Sequence, residues 1–158
     1  MSIERAKEHL KKYGLEDKIR EFDVSSATVE LAAQAIGCES QRIAKTLSFK
    51  IEGGCILIVA AGDAKIDNPK YKAKFGTKAK MLNPAEVEEM VGHAVGGVCP
   101  FGIKDGVKVY LDDSLKRFET VFPACGSPNS AIELTIPQLE EASGFTEWID
   151  VCKTACLN

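Results

Sequence analysis

The sequence predicts an α+β fold, a mixed sheet or barrel with helices packed outside it, and three observations carry that expectation. Residues 45 to 51 alternate apolar and polar, and a glycine pair at Gly53-Gly54 joins them to the apolar run Cys55 to Ala61, which reads as two strands and a tight turn. Asn68-Pro69 and Asn83-Pro84 each pair a capping residue with proline at a first helical position. Strand and helix signals then interleave irregularly with short connections, unlike the regular alternation of a doubly wound parallel fold.

The elements follow in chain order. Ile3, Ala6, Leu10 and Tyr13 recur at helical spacing before Gly14, a stop signal. A short strand is expected near Lys18 to Asp23. Ser25 or Ser26 is placed to cap a helix through Val29, Leu31, Ala32 and Ile36 to Gly37, and Ser40 to open a short turn into Ile43. The strand from Lys45 has one solvated face, whereas Cys55 to Ala61 is apolar at nearly every position, so both its faces should be covered. Helices near 69 to 75 and 84 to 91 flank a strand at Ala79 to Leu82. Val107 to Leu111, Glu119 to Phe122 and Ala131 to Thr135 supply further strands, and Pro137 to Ala142 a closing helix.

At 158 residues, 45% hydrophobic and 27% charged, with no repeat or low-complexity tract, the chain is expected to form one domain over residues 1 to 158 with a self-sufficient core. It has no apolar run long enough to span a membrane, and its first residues lack a secretory core, so a cytoplasmic protein is expected. Six cysteines are then expected as reduced thiols. Cys152 and Cys156 are four apart, but only His9 and His93 are available to complete a zinc set, which argues against a metal site. The formal charge of −3 is unevenly spread: Lys65, Lys70, Lys72, Lys74, Lys78 and Lys80 against Asp63 and Asp67 make a local +4, leaving −7 elsewhere. That segment reads equally as a face for a phosphate backbone and as a solvated surface.

Two glycine clusters are candidate sites. Gly96-Gly97-Val98-Cys99-Pro100-Phe101-Gly102 lacks both the P-loop and the dinucleotide spacing, and it reads either as a tight connection or as a stiff loop offering backbone groups to a ligand. Cys99 with His93 invites a thiol-nucleophile reading, against which stands the frequency of buried cysteines as small hydrophobes. Gly126-Ser127-Pro128-Asn129-Ser130 is a turn by composition, with hydroxyl and amide partners if it faces the same cavity. Lys45 falls on the apolar side of its strand, where it either lays its stem on that surface with its head in water or serves a site.

Three segments in this order, Thr28-Val29-Glu30-Leu31-Ala32-Ala33, Arg42-Ile43-Ala44-Lys45-Thr46-Leu47 and Gly-His-Ala-Val-Gly-Gly-Val-Cys-Pro-Phe-Gly from 92 to 102, resemble the YbaK/EbsC family, relatives of the editing domain of bacterial prolyl-tRNA synthetases. The resemblance spans about residues 4 to 143. It implies a mixed, barrel-like β-sheet with surrounding helices, and a trans-editing hydrolase that removes a small wrong amino acid, of Cys or Ala type, from tRNA(Pro). It further implies Lys45 as the catalytic residue, and Thr28, Gly96, Gly97, Val98, Cys99, Pro100, Phe101, Gly102, Gly126 and Ser127 as substrate-binding. The implied partners are the acceptor end of aminoacyl-tRNA and prolyl-tRNA synthetase, with no membrane, no metal and no other cofactor. The chain departs from many relatives in carrying Cys99 where they have Ser or Thr, and its 126 to 131 loop is closer to the EbsC-like branch, which leaves the rejected amino acid open. A non-catalytic module binding tRNA or a synthetase is the alternative.

Overall fold

The computed structural model describes residues 2–154, so Cys156 lies outside the described residues. The fold is mixed α+β. Helix α1 (Ser2–Lys11) buries Ala6 and Leu10 completely. Strand β1 (Arg20–Glu21) is shorter than expected, because a 3-10 turn, Glu16–Lys18, takes the start of the segment. Helix α2 (Val29–Ile36) stops at Gly37, whose φ of 83° is the left-handed conformation glycine tolerates. Its cap is Thr28, whose hydroxyl accepts from the Leu31 N–H at 3.2 Å, instead of Ser25 or Ser26. Only Thr28 stands three residues before that free N–H; the Ser25 hydroxyl accepts from the Ala27 N–H.

Strands β2 (Ile43–Ile51) and β3 (Gly54–Ala61) pair antiparallel, with Lys45 opposite Ala60 and Ile51 opposite Gly54. Gly54 therefore belongs to the strand, and the turn is Glu52-Gly53. After β3 come β4 (Ala64–Ile66), α3 (Asn68–Phe75), α4 (Pro84–Met90), β5 (Lys108–Asp112), β6 (Thr120–Pro123), β7 (Ser130–Ala131) and β8 (Leu134–Thr135). The described chain closes with α5 (Ile136–Ser143), β9 (Glu147–Ile149) and β10 (Cys152–Thr154). Asn83 caps α4 in a capping box with Glu86, but α3 is capped by Asp67, one residue earlier than expected.

The main sheet runs β8-β6-β2-β3-β5-β9, with β3 in its interior and Cys55 to Ala61 buried throughout, as its unbroken apolar sequence requires. Two short antiparallel pairs, β1 with β7 and β10 with β4, form separate two-stranded sheets. Tyr71 of α3 packs its ring 5.2 Å from Phe49 of β2 and 4.8 Å from Phe75, anchoring the lysine-rich helix to the core.

Two sequence expectations change here. Ala131 to Thr135 is not one strand: β7 pairs with β1 and β8 with β6, because the chain turns between them around fully buried Ile132. Residues 79 to 82 form only a bridge, Met81 opposite Phe49, fixed by Lys50 N–H to Lys80 C=O at 2.7 Å and Leu82 N–H to Ser48 C=O at 3.2 Å. That bridge positions the site. One edge of β2 is covered by β6 at Ile43 and Ala44 and by the 80 to 82 segment at Ser48 to Lys50, leaving the stretch between without a partner strand.

Candidate functional site

A cavity of about 330 Å³ opens at this gap. Ala44, Thr46 and Ser48 of β2 line it, joined by Thr28, Val29 and Ala32 at the start of α2 and by Phe122, Ala124, Ser130 and Ala131 across from them. Met81 and Val95 stand at its mouth, 60% and 58% exposed, with Gly96, Val98 and Val87 beside them. On β2, Ile43 to Thr46 and Ser48 thus border the cavity, whereas Phe49 enters the main core and Leu47 packs against it. The two-residue period that turns the Ser48 and Lys50 backbone outward also turns the N–H and C=O of Thr46 toward the gap.

Two hydroxyls here lack a partner: Ser26 Oγ and Thr46 Oγ1 are buried without a hydrogen bond. Ser26 is 6% exposed, held by its own N–H to the Pro128 carbonyl at 2.6 Å. Each hydroxyl has donor and acceptor capacity to offer a polar group entering the cavity.

Lys45 also lines the cavity, and its partners lie at the turn after β3: Nζ donates to the Ala64 carbonyl and, at 3.4 Å, to the Gly62 carbonyl. Burial pushes the ammonium below the usual lysine range, opposed by the nearby Cys152, Asp63 and Glu30, while Lys65 adds to the lowering. Its hydrogens are directed at carbonyl oxygens, an arrangement that suits the charged form.

The remaining sequence-predicted residues separate into groups. Thr28, Gly96 and Val98 border the cavity with Lys45. Gly97 packs on the second glycine loop so closely that a Cβ there would lie 2.5 Å from Gly126 C and Ser127 N. Gly102 packs equally tightly on α1, where a Cβ would meet the Arg5 carbonyl at 2.4 Å. These two glycines serve chain approach. Cys99 and Phe101 are fully buried, and Pro100 and Gly102 border a separate, more open depression of about 710 Å³ beside Arg5 and His9. Ser127 Oγ lies 2.7 Å from Ser130 Oγ and 3.0 Å from Asn129 Oδ1, close enough to brace the loop behind Ser130 with its single hydroxyl hydrogen.

Cys99 and His93 do meet, with Sγ 3.5 Å from Nε2, but that nitrogen lies 2.6 Å from the Phe101 carbonyl, which can only accept. Burial pushes the thiol up to about 12 and the imidazole below its ordinary value, so the pair is a neutral thiol beside a neutral ring. Among the described residues Cys38, Cys55, Cys99, Cys125 and Cys152 are free thiols.

The lysine-rich segment is partly neutralised. Lys70 pairs with Asp150 at 3.0 Å and Lys74 with Glu147, while Lys65, Lys72, Lys78 and Lys80 are exposed. Lys78 and Lys80 immediately precede Met81 at the cavity mouth.

Sequence reasoning passed over Ser26, Thr46, Ser48, Met81 and Phe122 as lining residues, whereas Ser130, a hydroxyl partner expected if the second glycine loop faced the cavity, does line it. Thr46 and Ser48 did leave a signal, the polar half of the alternation that located Lys45, but polar strand positions ordinarily face water.

Comparisons with known proteins place the chain in a family. The profile of the aminoacyl-tRNA editing domain family matches residues 23–142. The uncharacterized protein YwhH of Bacillus subtilis (strain 168) is 59% identical over 97% of this chain and 98% of its own length. A proline--tRNA ligase of Thermosipho melanesiensis is 30% identical over 78% of this chain, a match that occupies 22% of the ligase. Among solved structures, a candidate trans-editing enzyme for prolyl-tRNA synthetase superposes with a TM-score of 0.86 at 31% identity, covering 96% of this chain and 97% of that one.

Proposed function

The chain belongs to the aminoacyl-tRNA editing domain family, and from that premise we propose that it is a free-standing trans-editing hydrolase which deacylates mischarged tRNA(Pro) carrying a small wrong amino acid, of Cys or Ala type. One observation carries this reading: a cavity of about 330 Å³ at a break in strand pairing, with a lysine at its edge and two unpaired hydroxyls in its wall. The volume is at the lower end for ligand pockets, roughly 300–1,000 Å³, and suits a small aminoacyl ester with part of the terminal ribose.

An aminoacyl ester is already activated, so the protein need not supply a strong nucleophile; it must hold the ester, orient a water and stabilise the oxyanion. Lys45 holds its ammonium at the cavity edge, where it anchors the phosphate and sugar of the acceptor end and adds positive potential near the reacting carbonyl. The Thr46 backbone and hydroxyl, the Ser26 hydroxyl and Gly96 supply neutral partners for the ester carbonyl, the α-amino group and the water. Apolar Val29, Ala32, Val98 and Phe122 enclose the amino acid side chain. Size selection alone is weak, since one methylene changes binding by about 1–3 kcal/mol.

Lys78 and Lys80, beside Met81 at the mouth, contact the acceptor-stem backbone, and cooperation with prolyl-tRNA synthetase in the cytoplasm follows from the same substrate. The test is a panel of tRNA(Pro) charged with Ala, Cys and Pro, incubated with the protein at two salt concentrations. Faster release of Ala or Cys than of Pro, with second-order rates that fall as salt rises, is expected. Tight tRNA binding with no release of any amino acid would make the protein a binding module instead.

A further inference from the structure

The turn that holds Lys45 is itself held by a cation from another element. We infer that Arg117 and Asp63 are positioning residues for Lys45: the bidentate pair fixes the Gly62 to Ala64 turn, whose carbonyls fix the ammonium at the cavity edge. This rests on the reading of Lys45 given above.

Arg117 closes the short 3-10 helix Asp113–Arg117 that follows β5. Its two terminal nitrogens reach the two Asp63 oxygens at 2.6 Å and 3.0 Å, a fork geometry that sets orientation as well as distance. The guanidinium is held before it reaches Asp63: Nε donates to the Ser114 carbonyl at 2.9 Å, and the group lies 4.8 Å from the Phe118 ring centre. Asp63 and Arg117 side chains are only 19% and 33% exposed, so taken together the pair is better shielded than the other ion pairs among the described residues.

The same helix grips the neighbouring strand end. Ser114 Oγ accepts from the Ala61 N–H at 3.1 Å, and the Ser114 N–H donates to buried Asp112, whose other oxygen accepts from the Val151 N–H at 3.0 Å. On the opposite side Gly62 is wedged against the chain, since a Cβ there would lie 2.0 Å from the Ser40 carbonyl and 2.9 Å from Val29. Val29 and Lys45 both line the cavity, so the wedge and the ammonium border the same space. Between these supports the Asp63 carboxylate tethers the turn, and its residue lies between the two whose carbonyls Lys45 engages. A displacement of about 1 Å at such a contact can cost about 100-fold in rate.

The charged and titratable groups around the ammonium are Asp63 and Lys65 from the turn and β4, Cys152 from β10 and Glu30 from α2. Losing Arg117 removes the bidentate pair from Asp63, and the change in the carboxylate's position and charge environment alters the field at Nζ.

The experiment compares wild type, Arg117→Ala, Arg117→Lys and Asp63→Asn by two readouts. The first is the Lys45 side-chain 15Nζ resonance, assigned by its loss in Lys45→Arg; the second is the kcat and KM for release of alanine from Ala-tRNA(Pro). The resonance should move in Arg117→Ala and Asp63→Asn and return part way in Arg117→Lys, with kcat down about tenfold or more and KM within about twofold. A resonance unmoved in folded Arg117→Ala or Asp63→Asn overturns the inference, as does a rise in KM at constant kcat, the mark of a direct tRNA contact by Arg117. Should wild type release no amino acid, the functional reading fails and the resonance alone decides the positioning claim. If Arg117→Ala does not fold, Arg117→Lys and Asp63→Asn carry the same comparison.

Discussion

Cys99 with His93 and Lys45 with its turn are both polar groups drawn into the interior, yet they differ in what they can reach. The thiol and imidazole are fully buried, share the Phe101 carbonyl, leave His93 Nδ1 without a hydrogen bond, and are held in their neutral forms by burial. Lys45 is half-buried, keeps its hydrogens on two carbonyls and borders a cavity whose wall has hydroxyls to spare. Reactivity in the abstract favours the first pair, and access favours the second. The difference teaches that a gap in strand pairing, more than the identity of a nucleophile, marks where this fold can hold a ligand.

The contrast can be attacked from the sealed side first. Gly97→Ala places a Cβ 2.5 Å from the Gly126 and Ser127 backbone. Backbone cannot yield as a side chain can, so the two glycine loops must part, at a cost of about 1–3 kcal/mol or more read by urea unfolding. Unchanged stability would mean that the loops are looser than their contact distances say.

On the open side, Thr46→Val removes an unpaired hydroxyl at nearly constant volume. Stability should hold or rise slightly in thermal unfolding, because no hydrogen bond is lost, while deacylation slows about tenfold if the hydroxyl meets substrate. Loss of both stability and activity would instead assign Thr46 to the core.

The smallest effect concerns the tether itself. The Arg117 hydrogen bond, with its charge, holds the Asp63 carboxyl below the usual carboxylate range. The stability this gives is fully present above the ordinary aspartate value of about 3.9 and is lost as pH falls through the lowered folded value. The difference in unfolding free energy between wild type and Asp63→Asn should therefore be constant near neutrality and shrink below about pH 4. Partial exposure keeps it modest.

Much of the frame was legible in the chain. The alternation of residues 45 to 51 and the unbroken apolar run after Gly53 locate β2 and β3, because a half-covered and a fully covered strand leave different periods. Asn83 and Glu86 announce α4 through local chemistry alone. Strands β4, β9 and β10 were not foreseen: each has three residues, and each is fixed by a partner distant in sequence, as Cys152 is by Ile66. The break at Ile132 escaped notice for the same reason. Within the site, periodicity located Lys45, which lines the cavity with Ile43, but only the tertiary gap reveals that Thr46 and Ser48 line the same pocket and do not face solvent. The glycines of the 96 to 102 loop were visible as a cluster, but that Gly97 and Gly102 serve close chain approach required the facing backbones of Gly126 and Arg5.

The most direct measurement sets the two regions against each other in one assay. Single-turnover release of alanine from Ala-tRNA(Pro) is followed for wild type, Lys45→Ala and Cys99→Ala, each checked for folding. Cys99→Ala should stay within about twofold of wild type, and Lys45→Ala should fall about 100-fold, the scale of a lost positioning and electrostatic contact. Full activity in Lys45→Ala, or its loss in a folded Cys99→Ala, would contradict the account.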